Sequence, residues 1–231
     1  MTKEINSNSA KDVRLSTRDA LLQSGLVIVG LKGLRGLTVR ELASHAQVNL
    51  GSFVYHFKNR DTFLAELVEI WYQPIYAQLR HSSEAQGESS ALLRLQITIE
   101  NLIDFVSNNA AFISHLCADA FAGEVAAQKF LLNLPHRHPQ IIYRLLQAAQ
   151  SENSIPDGSV LHIMIFIMTA VGMPMLLAGE VMQGCTWLPV DAQKIRDLMR
   201  DSSAAKQRLV WALSGIRRQE KQMPVVITSD H

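Results

Sequence analysis

Few side chains in this sequence could do chemistry, and they are widely spaced. Tyr55 and His56 are adjacent, His115 precedes Asp119 by one helical turn, and His136-Arg137-His138 forms a basic triplet. The thiols Cys117 and Cys185 stand alone. Neighbouring residues on a helix point about 100° apart, so Tyr55 and His56 do not converge on one substrate atom. Three consecutive residues cannot place two ligands well on one ion, and two isolated cysteines make neither a zinc cluster nor a disulfide framework. No metal site and no cofactor is expected. There is no nucleophile–base pairing and no phosphate loop, so the sequence predicts a binding protein and not an enzyme.

The charge distribution says where an external partner would bind. The chain has 231 residues and a formal charge of +1, but residues 1–60 hold nine Lys/Arg against four Asp/Glu, while the remainder holds thirteen against seventeen. A basic quarter on an acidic body suits a polyanion at that quarter, although a charge imbalance is also what a solvated face shows. Nearly half of the residues (48%) are hydrophobic, enough to bury a sizeable core. The opening residues are polar with no apolar leader-like run, and together with the two lone cysteines this predicts a cytoplasmic protein.

The elements that would position these residues are helices throughout; no run alternates with period two, so the fold is expected to be all-α. Ser16 or Thr17 caps a first helix that Gly33 ends. Thr38 and Glu41 form a capping box for a second, with Leu42, Ala43 and Ala46 inward. Only Gln47 and Val48 separate it from a third that Asn49 caps, which is helix-turn-helix spacing. On that third helix Leu50, Phe53, Val54 and Phe57 are the expected buried face. Gly51, Ser52 and Tyr55 then project outward, with His56 at the edge and Lys58 and Arg60 just beyond. A glycine for close backbone approach, hydroxyls for base edges or phosphates, and cations for phosphates describe a surface for DNA. His56 serves equally well as a packing residue, and His45 as a solvent-facing one.

The stretch "LTVRELASHAQVNLGSFVYHFKNRDTFLAEL" resembles the DNA-binding signature of the tetracycline-repressor (TetR) family, the likeness covering about residues 17–72. It implies an all-α molecule with a helix-turn-helix domain over 16–60 and a ligand-binding and dimerisation domain over 61–218; the polar opening residues read as a flexible arm over 1–15, and the aperiodic end as a tail over 219–231. It implies DNA contacts from Thr38, Arg40, Asn49, Gly51, Ser52, Tyr55, His56 and Lys58, and a phosphate anchored by Arg60. Gln47 stands where the family usually has glycine, and Val54 where tyrosine is frequent. The function implied is that of a homodimeric transcriptional regulator, a repressor released from an operator by a small, largely apolar effector. The alternative is a DNA-binding regulator without an effector, controlled by a protein partner.

The body is read with the same rules. A long helix from Asn59 carries Phe63, Leu64, Leu67, Val68 and Trp71 inward and should kink at Pro74. Residues 160–179 contain only His162 and Thr169 as polar side chains and are broken by Pro174. They are expected to be buried within protein and not to span a membrane. A helix over 191–216 sets Ile195, Leu198, Ser202, Ala205, Leu209, Ala212 and Ile216 on one seam, and about 159–216 is the expected homodimer interface. For the effector pocket the candidates are Phe105, Phe112, His115, Leu116, Asp119, Met164 and Met168, with His115 and Asp119 as polar handles among apolar walls. Core filling by the methionines, and a solvated His-Asp pair, are the competing readings.

Overall fold

The computed structural model describes residues 16–84, 89–177 and 191–217. Among these residues every regular element is helical. Three helices form an amino-terminal head: α1 Thr17–Lys32, α2 Val39–His45 and α3 Leu50–Phe57. The long α4, Arg60–Glu84, leads into the body of α5 Ala91–Asn108, α6 Ala110–Phe121, α7 Val125–Asn133 and α8 His138–Ser151. There follow α9 Val160–Ile167, a wide turn over Met168–Gly172, α10 Met173–Leu177, α11 Ala192–Arg200 and α12 Ser202–Ile216. The arm over 1–15 and the tail over 219–231 lie outside the described residues.

Local signals explain most starts and stops. Ser16 Oγ accepts from the Asp19 amide at 3.1 Å, Asn49 Oδ1 from that of Ser52 at 2.8 Å, and Asn59 Oδ1 from that of Thr62 at 2.9 Å. Gly33 closes α1 with φ 76°, a conformation that costs glycine little. The capping box at α2 is only half made. Thr38 Oγ1 accepts from the Glu41 amide, but the Glu41 carboxylate pairs with Lys32 instead of reaching back. Helix α4 continues through Pro74 to Glu84.

One buried cluster joins the head to the lower body. Leu21, Leu22, Ile28, Leu34, Leu42, Phe53 and Phe57 pack with Phe63, Leu64 and Leu67 of α4 and with Phe112, Leu116 and Phe130. The Phe57 and Phe63 rings meet edge-on at 4.9 Å. Gly25 makes the approach of α1 to α4 possible, since a β-carbon there would lie 2.6 Å from Phe63 Cζ. A second cluster draws on α5, α8, α9 and α12 around Leu95, Ile142, Leu146, Ile167 and Leu209.

Three expectations for the body are corrected. The apolar segment expected to break at Pro174 runs as one helical stretch over Val160–Leu177, with π-type turns at Met168–Gly172 and Pro174 inside its last turn. Its own chain covers only one side: Val160, Ile167, Val171 and Met175 are buried, whereas Leu161, Ile165, Phe166 and Leu176 are exposed. The single helix expected over 191–216 breaks at Asp201, whose extended backbone (ψ 124°) and side-chain cap on the Ala204 amide start a new helix. Leu198 therefore leaves the seam for solvent, and Ala205, Leu209, Ala212 and Leu213 are the residues buried.

Candidate nucleic-acid interface and adjoining cavity

Helix α3 is held from behind by two residues. Phe53 and Phe57 are buried, while Leu50 and Val54, expected beside them, are 48% and 54% exposed. The physical reason is length. An eight-residue helix lying across α1 and α4 presents a narrow stripe, so only the i, i+4 pair reaches the core. Val54 thus joins the outward side with Tyr55, which is 83% exposed and meets the His56 ring edge-on at 5.0 Å. Thr38, Arg40, Asn49, Gly51 and Lys58 are exposed on the same head, with Ser52 and His56 half-buried. Among the described residues neither Arg40 nor Lys58 has an acidic partner.

Two backbone features shape this tip. Gln47 takes φ 55° in the turn between α2 and α3, the left-handed conformation expected where glycine is usual. Lys58 takes φ 63° and ψ −56°, and the Asn59 amide donates to the Phe57 carbonyl at 2.7 Å across it. That is a tight three-residue turn of a rare, strained type. It carries a lysine at the end of α3. Gly51 is not demanded by internal packing, because a β-carbon there would meet only Asn49 Oδ1, at 3.3 Å.

Arg60 is a correction. Its guanidinium donates to the Leu37 carbonyl from Nε at 3.0 Å, to the Leu34 carbonyl from Nη2 at 2.6 Å, and to Glu124 Oε2 at 3.2 Å. An arginine committed in this way has no free edge for a phosphate. The same junction explains Asp119, whose buried Oδ2 accepts from the Leu34 amide at 2.6 Å and the Arg35 amide at 3.4 Å. Asp119 at the end of α6 and Glu124 at the start of α7 therefore bind the body to the loop between α1 and α2.

Close to this junction lies a cavity of about 250 Å³, walled by α4 to α8 and by the turn and helix after α9. Of the expected effector residues, Phe105, Leu116 and Met168 line it. The other four do not. Phe112 is spent stacking on Trp71 at 4.2 Å, Met164 packs against the second core cluster, and Asp119 faces the head. His115 is half-buried elsewhere on α6. Sequence reasoning missed the two residues with polar groups that are paired with each other in the otherwise apolar lining, Tyr72 and His138. The Tyr72 hydroxyl and His138 Nδ1 are 2.8 Å apart, and the His138 amide donates weakly to the same hydroxyl at 3.4 Å. Burial, reinforced by nearby Arg137, pushes the His138 imidazole down to about 4, and burial pushes the Tyr72 phenol up to about 12. The triplet read as a basic loop thus divides. His136 ends a short turn, Arg137 pairs with Glu69 at 2.6 Å, and His138 opens α8 as a neutral ring on the cavity. The Pro139 at the start of α8 was the available signal that the triplet leads into a helix.

Known proteins bear on this arrangement. The family model described as "Bacterial regulatory proteins, tetR family" matches residues 21–67. The "Probable HTH-type transcriptional regulator YttP" of Bacillus subtilis (strain 168) is 25% identical over 132 residues, 53% of this chain. The match spans 64% of that relative's length. Among solved structures, a TetR transcription regulator from Haloarcula marismortui superposes with a TM-score of 0.66 at 14% identity, covering 87% of this chain and 98% of its own. The ketosteroid transcriptional regulator KstR2 of Mycobacterium tuberculosis gives 0.60 at 21% identity, with 88% and 96% covered. At such identities these two establish the fold alone. Its head matches the sequence model of the TetR family of bacterial regulatory proteins over residues 21–67 and its helices follow that family's arrangement, so the chain carries the amino-terminal domain and the fold of a family of transcriptional regulators, which are not enzymes.

Proposed function

We propose that this chain is a homodimeric transcriptional regulator whose α3 enters the major groove of an operator, and that a ligand in the body's cavity releases it. The observation that carries the reading is Tyr55: a large aromatic side chain almost wholly exposed beside unpaired Arg40 and Lys58, on a helix anchored by two buried phenylalanines. Inside its own chain its ring meets that of His56 edge-on and otherwise stands in solvent. On DNA its ring and hydroxyl meet a base edge or a phosphate, and Val54 and Leu50 suit a thymine methyl. Thr38, Asn49, Gly51, Ser52 and His56 complete the contacting set, and Arg60 drops out of it. The head over 16–60 is then the reading domain, and the remainder senses and dimerises, in the cytoplasm.

A second copy suits the exposed apolar surface of α9, α10 and α12, where Phe166, Leu176, Val210 and Trp211 stand in solvent. Val160–Leu177 is long and apolar enough to cross a membrane. One flank of it, however, packs on α8 and α12 of its own chain, which favours a protein partner over lipid. Symmetric pairing sets two α3 helices near one DNA turn apart, about 34 Å. The cavity favours effector control over regulation by a protein partner alone.

Release would follow by linkage, if the ligand binds better when the heads are wrongly spaced for DNA. The route that supports this runs from α6, which lines the cavity with Leu116 and Cys117, to the hydrogen bonds of Asp119 with the α1–α2 loop. Trp211→Glu puts a charge into the pairing surface without touching the head. Sedimentation should show single chains, and affinity for a bound duplex should fall at least a hundredfold. A variant that stays paired would remove α12 from the interface.

A further inference from the structure

The cavity's walls are apolar except at one place, and hydrogen-bond bookkeeping there selects a ligand class. Trp71 Nε1 donates to Asn109 Oδ1 at 2.9 Å, so the indole has no donor left. The Tyr72 hydroxyl accepts from the His138 amide, and His138 Nδ1 is the acceptor within its reach. Nδ1 is the acceptor that satisfies the buried phenolic proton, and we assign the proton to that side. With that assignment a neutral imidazole accepts at Nδ1 and carries its own proton on Nε2. Among the described residues that Nε2–H has no partner, on a ring that lines the cavity. Among the described lining residues the thiol of Cys117 is the only other side-chain donor, and a weak one. Among the described residues no cation lines the cavity. Arg137, next to His138 in the chain, gives both terminal nitrogens to the Glu69 carboxylate, at 3.0 and 2.6 Å, and lies over the rings of Tyr72 and Phe130.

We propose that the cavity takes an uncharged, apolar molecule whose one polar atom is a hydrogen-bond acceptor, a carbonyl above all, received by the Nε2–H of His138. This rests on reading the cavity as a ligand site and adds the class of ligand. A carboxylate would be buried without a counter-charge, and an alkane would leave the imidazole donor unsatisfied. Size is bounded as well. An apolar cavity of about 150 Å³ holds benzene, so about 250 Å³ suits a fused two-ring skeleton or its open-chain equivalent.

Calorimetric titration of the full chain with α-tetralone, tetralin and naphthoate tests this, because the first two share a skeleton and differ in the carbonyl. The ratio of the tetralin Kd to the tetralone Kd should fall about tenfold from wild type to His138→Leu, the value of one hydrogen bond, with naphthoate the weakest throughout. If His138→Leu does not fold, Tyr72→Phe keeps the cavity's shape and removes the hydroxyl that holds the tautomer, together with its weak bond from the His138 amide. The same ratio should then fall about twofold, as the proton is shared between the two ring nitrogens. An unchanged ratio in the variant that folds, tightest binding by naphthoate, or no binding of tetralone overturns the proposal. The regulatory reading fails on a different result, cavity ligands that bind and leave DNA affinity unaltered.

Discussion

Arg60 ends the basic tip of the head in sequence, yet its guanidinium is spent on two backbone carbonyls and Glu124. Removing it leaves Glu124 buried beside an uncompensated junction. Arg60→Ala should therefore cost about 2 kcal/mol of stability in urea titration, with the salt dependence of DNA binding unchanged. Lys58→Ala should do the reverse, lowering the salt slope by about one unit at constant stability. His138 carries a pH prediction. Its folded pKa, about 4, lies below the ordinary 6.5, so below 6.5 the unfolded chain takes up a proton that the folded one refuses. Stability is level above that value and falls as pH drops toward 4, by about 2 kcal/mol at about pH 5. His138→Gln should lose most of that dependence in urea midpoints; an identical pH profile would contradict a buried neutral ring. At this scale the sequence was legible where structure is local: the Asn49 cap and the exposure of Tyr55 and Lys58 follow from caps and helical spacing. The partners of Arg60, Asp119 and His138 lie 64, 85 and 66 positions away in the chain, and no periodicity reports such pairings.

Helix positions followed from caps and apolar spacing, and the places where elements departed from expectation share a cause. The period of a helix says which face is apolar but not what covers it. Leu50 and Val54 sit on an apolar face too short to be covered, and Leu161, Ile165 and Phe166 on one that needs a second molecule. The break at Asp201 rests on a single cap residue set between stretches of the same apolar spacing, so the spacing does not show it. Among the elements α6 links the two halves, lining the cavity at one side and holding the α1–α2 loop through Asp119 at its end. Asp119→Ala should speed amide exchange at Leu34 and Arg35 at least tenfold, because both lose their acceptor, while α5 and α8 keep wild-type protection. Unchanged exchange at Leu34 would show that packing alone docks the head and would remove this route of coupling.

As a whole the molecule places a basic tip, a junction of directed hydrogen bonds, an apolar cavity and an uncovered apolar flank in series along one chain. The family and the all-α architecture were legible in the first third of the sequence, because the head's motif is dense in caps, a glycine and aromatic residues at fixed spacing. The cavity was not, since its walls come from α4 to α10, and only the folded arrangement brings Trp71, Phe105, His138 and Met168 to one space. The central claim is that α3 reads DNA from a symmetric pair. Repeated selection of bound duplexes from a random-sequence pool, run with wild type and Tyr55→Ala, tests it most directly. Wild type should enrich an inverted repeat with half-site centres about one helical turn apart, and Tyr55→Ala, folded and paired as before, should enrich none or a relaxed one. A wild-type pool that stays random, or a Tyr55→Ala pool that converges on the same repeat with equal strength, would contradict the account.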